Sequence, residues 1–94
     1  MAKLKMYAVW DNAVGSYSPP HCAVTRGIAV RNFIDYCSKS DSEIAKHPKD
    51  FSLFEMGEYD DVTGVVENAA APVNLGSAAS FIATFVGAGY FFNV

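Results

Sequence analysis

The sequence has no charged side chain after Glu67, and it has few of the features that mark common functional classes. Its only cysteines are Cys22 and Cys37, so a disulfide-rich secreted scaffold is excluded, although one bridge is possible in number. The opening Met-Ala-Lys-Leu-Lys-Met lacks the long apolar core of a secretory signal. We therefore expect a cytoplasmic protein in which both thiols are free.

The sequence also lacks the motifs typical of catalytic and ligand-binding sites. The glycines lie singly or near the C-terminus, so no glycine-rich phosphate loop occurs, and the acids do not form a calcium-binding loop. No motif frames either cysteine as a nucleophile beside a base. Four side chains are possible zinc ligands: His21, Cys22, Cys37 and His47. Zinc ligands usually come in pairs separated by about two to five residues, and these four do not. We predict a protein that is not an enzyme and has no metal, cofactor or small-molecule substrate.

The chain has 94 residues, of which 51% are hydrophobic and 14% aromatic, and this predicts one globular domain spanning residues 1–94. A net charge of -3 argues against broad attraction to nucleic acid. The charge is nevertheless unevenly distributed along the chain. Residues 3–31 carry four cations and one carboxylate, whereas residues 50–67 carry six carboxylates and no cation. Such a chain can meet a polyanion through one face only.

The first apolar segment alternates. Leu4, Met6, Ala8 and Trp10 fall on one side of a predicted strand, and Lys3, Lys5, Tyr7 and Val9 fall on a mostly wet side. Beyond a loop, apolar residues recur at helical spacing, which predicts a helix over about 25–38 with Thr25 as its N-cap.

The middle of the chain contains further breaks and strands. Ser40 and Glu43 fit a capping box for a short helical turn that Pro48 ends. Strands are predicted over 51–59 and 63–67, with a bulge at Gly57 and a positive φ at Gly64 in the turn. These elements predict an α+β fold: a small antiparallel sheet of three or four strands packed against one main helix.

The C-terminal segment 75–94 is apolar and uncharged. Small residues four apart, at Ala79, Ala83 and Gly87, resemble the close-packing face of a membrane helix. Dilution by Gly, Ser and Thr and the lack of Lys or Arg anchors favour instead a helix from about Leu75 that covers the sheet, followed by an apolar tail. Exposed apolar surface of that size predicts a homodimer or other homo-oligomer.

The cations of the N-terminal third suggest one binding site. We predict that single-stranded DNA contacts five residues: Lys3, Lys5, Tyr7, Arg26 and Arg31. Single-strand binders combine a basic groove with aromatic stacking platforms. An ordinary solvated sheet face is the alternative interpretation of the same residues.

Several motifs, in order, resemble one family. The run KHPKDFSLF at 46–54, the run GEYDDVTG at 57–64, the opening KMYAVWD at 5–11, AVRNF at 29–33 and LGSA at 75–78 are similar to the small nonstructural protein of gokushovirus-type microviruses, which are single-stranded DNA phages. The resemblance implies a protein of the infected bacterial cytoplasm, absent from the virion and associated with phage single-stranded DNA synthesis or packaging. Lys49, Trp10 and the apolar run to Val94 depart from the family pattern.

These observations lead to three functional hypotheses. The first is a noncatalytic phage accessory protein that binds single-stranded DNA or a replication partner. The second is a protein-interaction or assembly adaptor that acts through the acidic hairpin and the apolar tail without contacting DNA. The third is a peptide attached to the membrane through its C-terminal segment.

Overall fold

A computed structural model describes residues 3–87 of the chain. The elements are strands β1 (Lys3–Asp11), β2 (Ser16–Tyr17) and β3 (His21–Ala23), helices α1 (Arg26–Cys37) and α2 (Glu43–Lys46), strands β4 (Phe51–Asp60) and β5 (Val66–Ser77), and helix α3 (Ala78–Gly87).

The five strands form one antiparallel sheet with β1 and β4 at its centre. One edge of β1 pairs with β4, while its other edge pairs with β2 near Trp10 and with β3 near Met6. Strand β5 pairs with β4 and forms an outer edge of the described sheet. The register of β5 slips between Asn68 and Val73, where residues 69–72, an Ala-Ala-Ala-Pro segment, stand opposite the single residue Met56. The sheet is therefore kinked at its edge.

The core lies on one side of this sheet, beneath the helices. Tyr7 and Leu53 are its largest fully buried side chains, and they pack with α1 residues such as Phe33 and with Ala78 of α3. Phe33 meets Phe81 of α3 edge to face, with ring centroids 5.8 Å apart. In residues 3–87, this helix-covered side holds α1, α2 and α3, whose apolar residues contribute to the core.

The predicted fold class is wrong. The chain is mostly an antiparallel sheet, which has five strands rather than three or four, and three small helices replace the one main helix. Strands β2 and β3 have two and three residues, too few to show an alternating pattern. Strand β5 is 12 residues long, whereas the prediction ended at residue 67, because its alanines and Pro72 have low intrinsic strand preference. Pairing with β4 overrides that preference.

The predicted orientation of β1 is also wrong beyond Lys5. Tyr7 is fully buried and Val9 packs against the core, although both were assigned to the solvent side. Alternation defines two sides of a strand, but the packing of distant elements decides which side is covered. Here α1 covers the side that carries Tyr7 and Val9.

Other local predictions are confirmed. Helix α1 spans Arg26–Cys37, and the Thr25 hydroxyl accepts a hydrogen bond from the backbone N–H of Ile28. Gly57 lies at an irregularity in β4, and Gly64 has a φ of 76°. The cap of α2 differs from the prediction, because Ser42 rather than Ser40 accepts from the backbone N–H of Ala45.

The predicted C-terminal helix is present as α3, which begins at Ala78 and packs on α1, β4 and β5. Among residues 3–87, no helix is long and apolar enough to cross a membrane. The predicted apolar tail beyond Gly87 lies outside the described residues.

Candidate interaction surfaces

The structure brings four of the five predicted DNA-binding residues together on the helix-covered side. Lys3, Lys5 and Tyr7 follow one another along β1, and Arg26 at the start of α1 reaches the same row. Arg31 lies further along α1 and is exposed. Tyr7 is fully buried, so its ring is not an available stacking platform in this conformation.

Glu55 of β4 is the centre of this row. Its carboxylate accepts hydrogen bonds from Nε and Nη2 of Arg26, at 3.2 and 3.1 Å, and from the hydroxyl of Tyr7 at 3.2 Å. The hydrogen bonds and charge of Arg26 lower the pKa of Glu55, although its partial burial opposes the shift. Burial and the neighbouring Glu55 raise the pKa of Tyr7 to about 12. The arrangement fastens the start of α1 to β4.

Two further ion pairs extend the row. Lys5 Nζ lies 3.2 Å from a Glu58 oxygen on the neighbouring strand β4, and Lys3 Nζ lies 3.3 Å from Glu67 on β5. The hydrogen bond to Glu67 raises the pKa of Lys3. Each cation of the row therefore faces a carboxylate of the same chain, and the row presents little net positive charge.

The acidic hairpin tip is explained by local structure. Asp60 Oδ1 accepts hydrogen bonds from the backbone N–H groups of Val62 and Thr63, at 2.9 and 3.1 Å. These bonds lower the pKa of Asp60. The carboxylate shapes the turn between β4 and β5, as its position in the sequence predicts.

A cleft of about 770 Å³ opens on the helix-covered side between α1 and the β1–β2 segment. Val9, Phe33 and Leu53 are among its apolar walls, while Asn32, Asp35 and other polar residues stand at its rim. Local sequence patterns do not reveal this cleft, because its walls come from segments far apart in the chain. Arg31 and Asp35 stand four residues apart on α1, a spacing that allows an ion pair, but no carboxylate of the described residues lies within 4 Å of the Arg31 guanidinium.

The opposite side of the sheet carries no helix within residues 3–87, and we call it the helix-free face. Cross-strand partners share a side, so the pairs Leu4 with Tyr59 and Ala8 with Phe54 place these residues there. Tyr17 adds its ring, which lies 4.8 Å from Trp10 and 5.3 Å from Phe54, measured between centroids. Three aromatic rings thus form a cluster on this face.

A groove of about 420 Å³ lies beside the aromatic cluster on the helix-free face. Its walls include Met6, Ala8 and Met56, together with Pro20 and Pro72. Methionine side chains adapt their shape to a partner and are common at binding surfaces. The groove lies where the register of β5 slips opposite Met56.

All charged residues of the three long strands lie on the helix-covered side. The cross-strand partners give the set as Lys3, Lys5, Asp11, Glu55, Glu58, Asp60 and Glu67. The helix-free face receives none of them, and the β1–β2–β3 connection over residues 12–20 is uncharged as well. A face without a helix and without charge is typical of a surface that another protein covers.

The possible zinc ligands are distributed over different environments. His21 and Cys22 are neighbours in β3, Cys37 lies in the core, and His47 follows α2. Burial raises the pKa of the Cys37 thiol to about 11, so this sulfur is an inert part of the core at neutral pH. Among the residues described, no group of three or more His, Cys, Asp and Glu side chains is placed to hold a metal ion.

Comparison with protein families identifies relatives of the chain. A family described as Phage ORF5 protein matches residues 4–81. The chain belongs to this family. A search of curated proteins gives no match, and a search of solved structures gives none either.

The Phage ORF5 match runs from β1 into the first turn of α3, so it includes the helix-free face and, apart from Lys3, the row of ion pairs. Membership establishes that this is a phage protein.

Proposed function

We propose that the chain is a noncatalytic accessory protein of a single-stranded DNA phage of the gokushovirus type, acting in the host cytoplasm during DNA synthesis or packaging. In this proposal the protein works by binding another protein. The observation that carries the proposal is the helix-free face, where Trp10, Tyr17 and Phe54 flank a groove without any charged strand residue. Binding to the phosphate backbone rests mainly on Lys and Arg, and among the described strand residues this face carries neither.

Phage genetics can test this role. A phage that encodes Met6→Glu places a carboxylate on the helix-free face, whereas Val24→Glu places one at a half-exposed position just before α1. We expect Met6→Glu to reduce single-stranded DNA or particle yield while the protein accumulates normally, and Val24→Glu to leave the yield unchanged. Equal yields of single-stranded DNA and particles for wild type and Met6→Glu would contradict the proposal.

Direct binding of single-stranded DNA is the second candidate, and the grouping of Lys3, Lys5 and Arg26 on one side of the sheet favours it. Exposed ion pairs contribute little, about 0 to 1 kcal/mol each, so phosphate can compete with Glu58 and Glu67 for the lysines. Arg26 is held more firmly, by two hydrogen bonds to Glu55.

A gel-shift titration at two salt concentrations separates this candidate from the first. We expect binding that weakens as salt rises, because counterions are released from phosphate. Glu58→Gln should strengthen binding by freeing Lys5, and Lys5→Gln should weaken it. Absence of binding at low salt would remove direct DNA contact and leave the protein-binding role standing.

A further inference from the structure

The helix-free face shows an unusual distribution of charge. In a sheet with one side covered by helices, the open side normally carries the charged residues, because water solvates them there. In this protein the seven charged residues of β1, β4 and β5 lie on the helix-covered side. The open side keeps apolar residues, and among them Tyr17 is 39% and Val66 50% exposed. Such a face is stabilised by a partner that is equally free of charge.

We propose that the partner is a second copy of this chain, bound face to face through the helix-free face in a twofold-symmetric dimer. This inference rests on the proposed protein-binding role and names the partner. A second copy supplies a face of matching character, since neither copy introduces an unpaired charge. The acidic residues, which give each chain its charge of -3, lie behind the sheets or at the hairpin tip.

The shape of the face is compatible with pairing to itself. A twofold interface requires that one patch contain both a projection and the depression that receives it. The face carries both a cluster of aromatic rings, Trp10, Tyr17 and Phe54, and a groove beside Met6 and Met56 whose wall Tyr17 also joins. In the proposed dimer the aromatic cluster of each copy packs against the groove of the other.

The size of the face also suits a stable dimer. Strand β1 has nine residues, which at about 3.3 Å per residue gives a length of about 30 Å. Four strand widths of about 4.8 Å give a breadth of about 19 Å. The flat projection is about 570 Å², before the relief of the side chains is added, which is of the same order as the ~800 Å² per partner in a standard interface.

The mass of the full-length protein in solution, measured by light scattering over a dilution series, tests the dimer. We expect twice the chain mass of 10.2 kDa at high concentration, falling towards one chain mass on dilution. Trp10 is the only tryptophan and lies in the proposed interface, so its fluorescence should shift to longer wavelength over the same dilution range. A mass of one chain at every concentration would overturn the inference.

Variants locate the interface. Met6→Glu should weaken the dimer by about 100-fold or more, because each copy would bury an unpaired carboxylate. Tyr17→Glu is a second variant at a more exposed position, and Val24→Glu is the matched control. Circular dichroism confirms that each variant is folded. A dimer that persists unchanged in both face variants, or a Trp10 spectrum that stays constant while the mass halves, would place the contact elsewhere.

The result also separates the two proposals. A single-chain mass combined with a defect of the Met6→Glu phage would overturn the dimer but retain a binding role with a different protein. A single-chain mass combined with a short-wavelength Trp10 spectrum at all concentrations would show that another part of the same chain covers the face. A dimer combined with normal phage yield would contradict the proposed function and support the dimer.

Discussion

The two sides of the sheet are built from the same strands but have opposite characters. On the helix-covered side, Tyr7 and Leu53 are fully buried, and Lys3, Lys5 and Arg26 form ion pairs around them. On the helix-free face, the aromatic cluster and the groove are free of charge. Neighbouring residues of one strand therefore contribute to different properties. The covered side holds the fold together, and the helix-free face is the surface left for a partner.

The largest expected effect on stability comes from truncating Leu53 of β4, and the comparison is with the same truncation at the adjacent residue, Phe54. Leu53 is fully buried beneath the helices, so Leu53→Ala should lower the free energy of unfolding by about 2 to 5 kcal/mol. Phe54 points to the helix-free face, and Phe54→Ala should cost less in the isolated chain, about 1 to 2 kcal/mol, because the ring is only partly buried. Urea unfolding of dilute protein measures both. A larger loss for Phe54→Ala would show that the helix-free face is also core.

The Arg26–Glu55 contact, which joins α1 to β4, should have the next largest effect on the free energy of unfolding. Glu55→Gln weakens the contact with Arg26 and should cost about 1 to 2 kcal/mol at pH 7. Because the folded-state pKa of Glu55 is lower than its ordinary value of 4.5, the contribution is complete above that pH. It is lost as the pH falls through the folded-state pKa. Wild type and variant should therefore converge in stability below pH 4.5, and a constant difference would contradict this explanation.

The Tyr7 hydroxyl should contribute about 1 kcal/mol at neutral pH, which Tyr7→Phe removes together with the hydrogen bond to Glu55. The folded-state pKa of Tyr7 is about 12, compared with 10 ordinarily, so its protonated form stabilises the fold below pH 10. That stabilisation disappears as the pH rises from 10 towards 12. Wild type should lose more stability than Tyr7→Phe over this interval, as followed by urea unfolding. Parallel losses would show that the phenol is not held in its neutral form.

The exposed ion pairs of the covered side should have the smallest effect. Lys5→Gln and Lys3→Gln should each lower the free energy of unfolding by less than Glu55→Gln does, and by less still at high salt. The half-exposed side chains of both lysines are the reason. A loss as large as that of Glu55→Gln would mean that the whole row acts as one network.

Much of the fold follows from local patterns in the sequence. Thr25 at the start of a helical apolar repeat correctly predicts α1, and Gly64 in a run of turn residues correctly predicts the positive φ between β4 and β5. Alternation likewise predicts β1 and β4 with nearly correct ends. These features depend on residues within a few positions of one another.

The missed features depend on contacts between distant segments. Strands β2 and β3 have few residues and are strands because the edge of β1 offers them hydrogen-bond partners. Tyr7 is buried because it packs with residues of α1 and with Leu53 of the neighbouring strand, which the alternation of β1 does not specify. The carboxylate partners of Lys3, Lys5 and Arg26 belong to β4 and β5, far from these cations in the chain, so local sequence patterns do not specify them.

The central position of β1 has a consequence for the order in which the molecule can assemble. The first strand to be synthesised finds its main neighbour only when Val9 meets Leu53, more than 40 residues later in the chain. Until then β1 can pair only with the small strands β2 and β3 and pack only with α1 and α2, so part of its apolar surface is exposed to contacts with other chains. Rapid translation through Phe51–Asp60 would shorten that vulnerable interval.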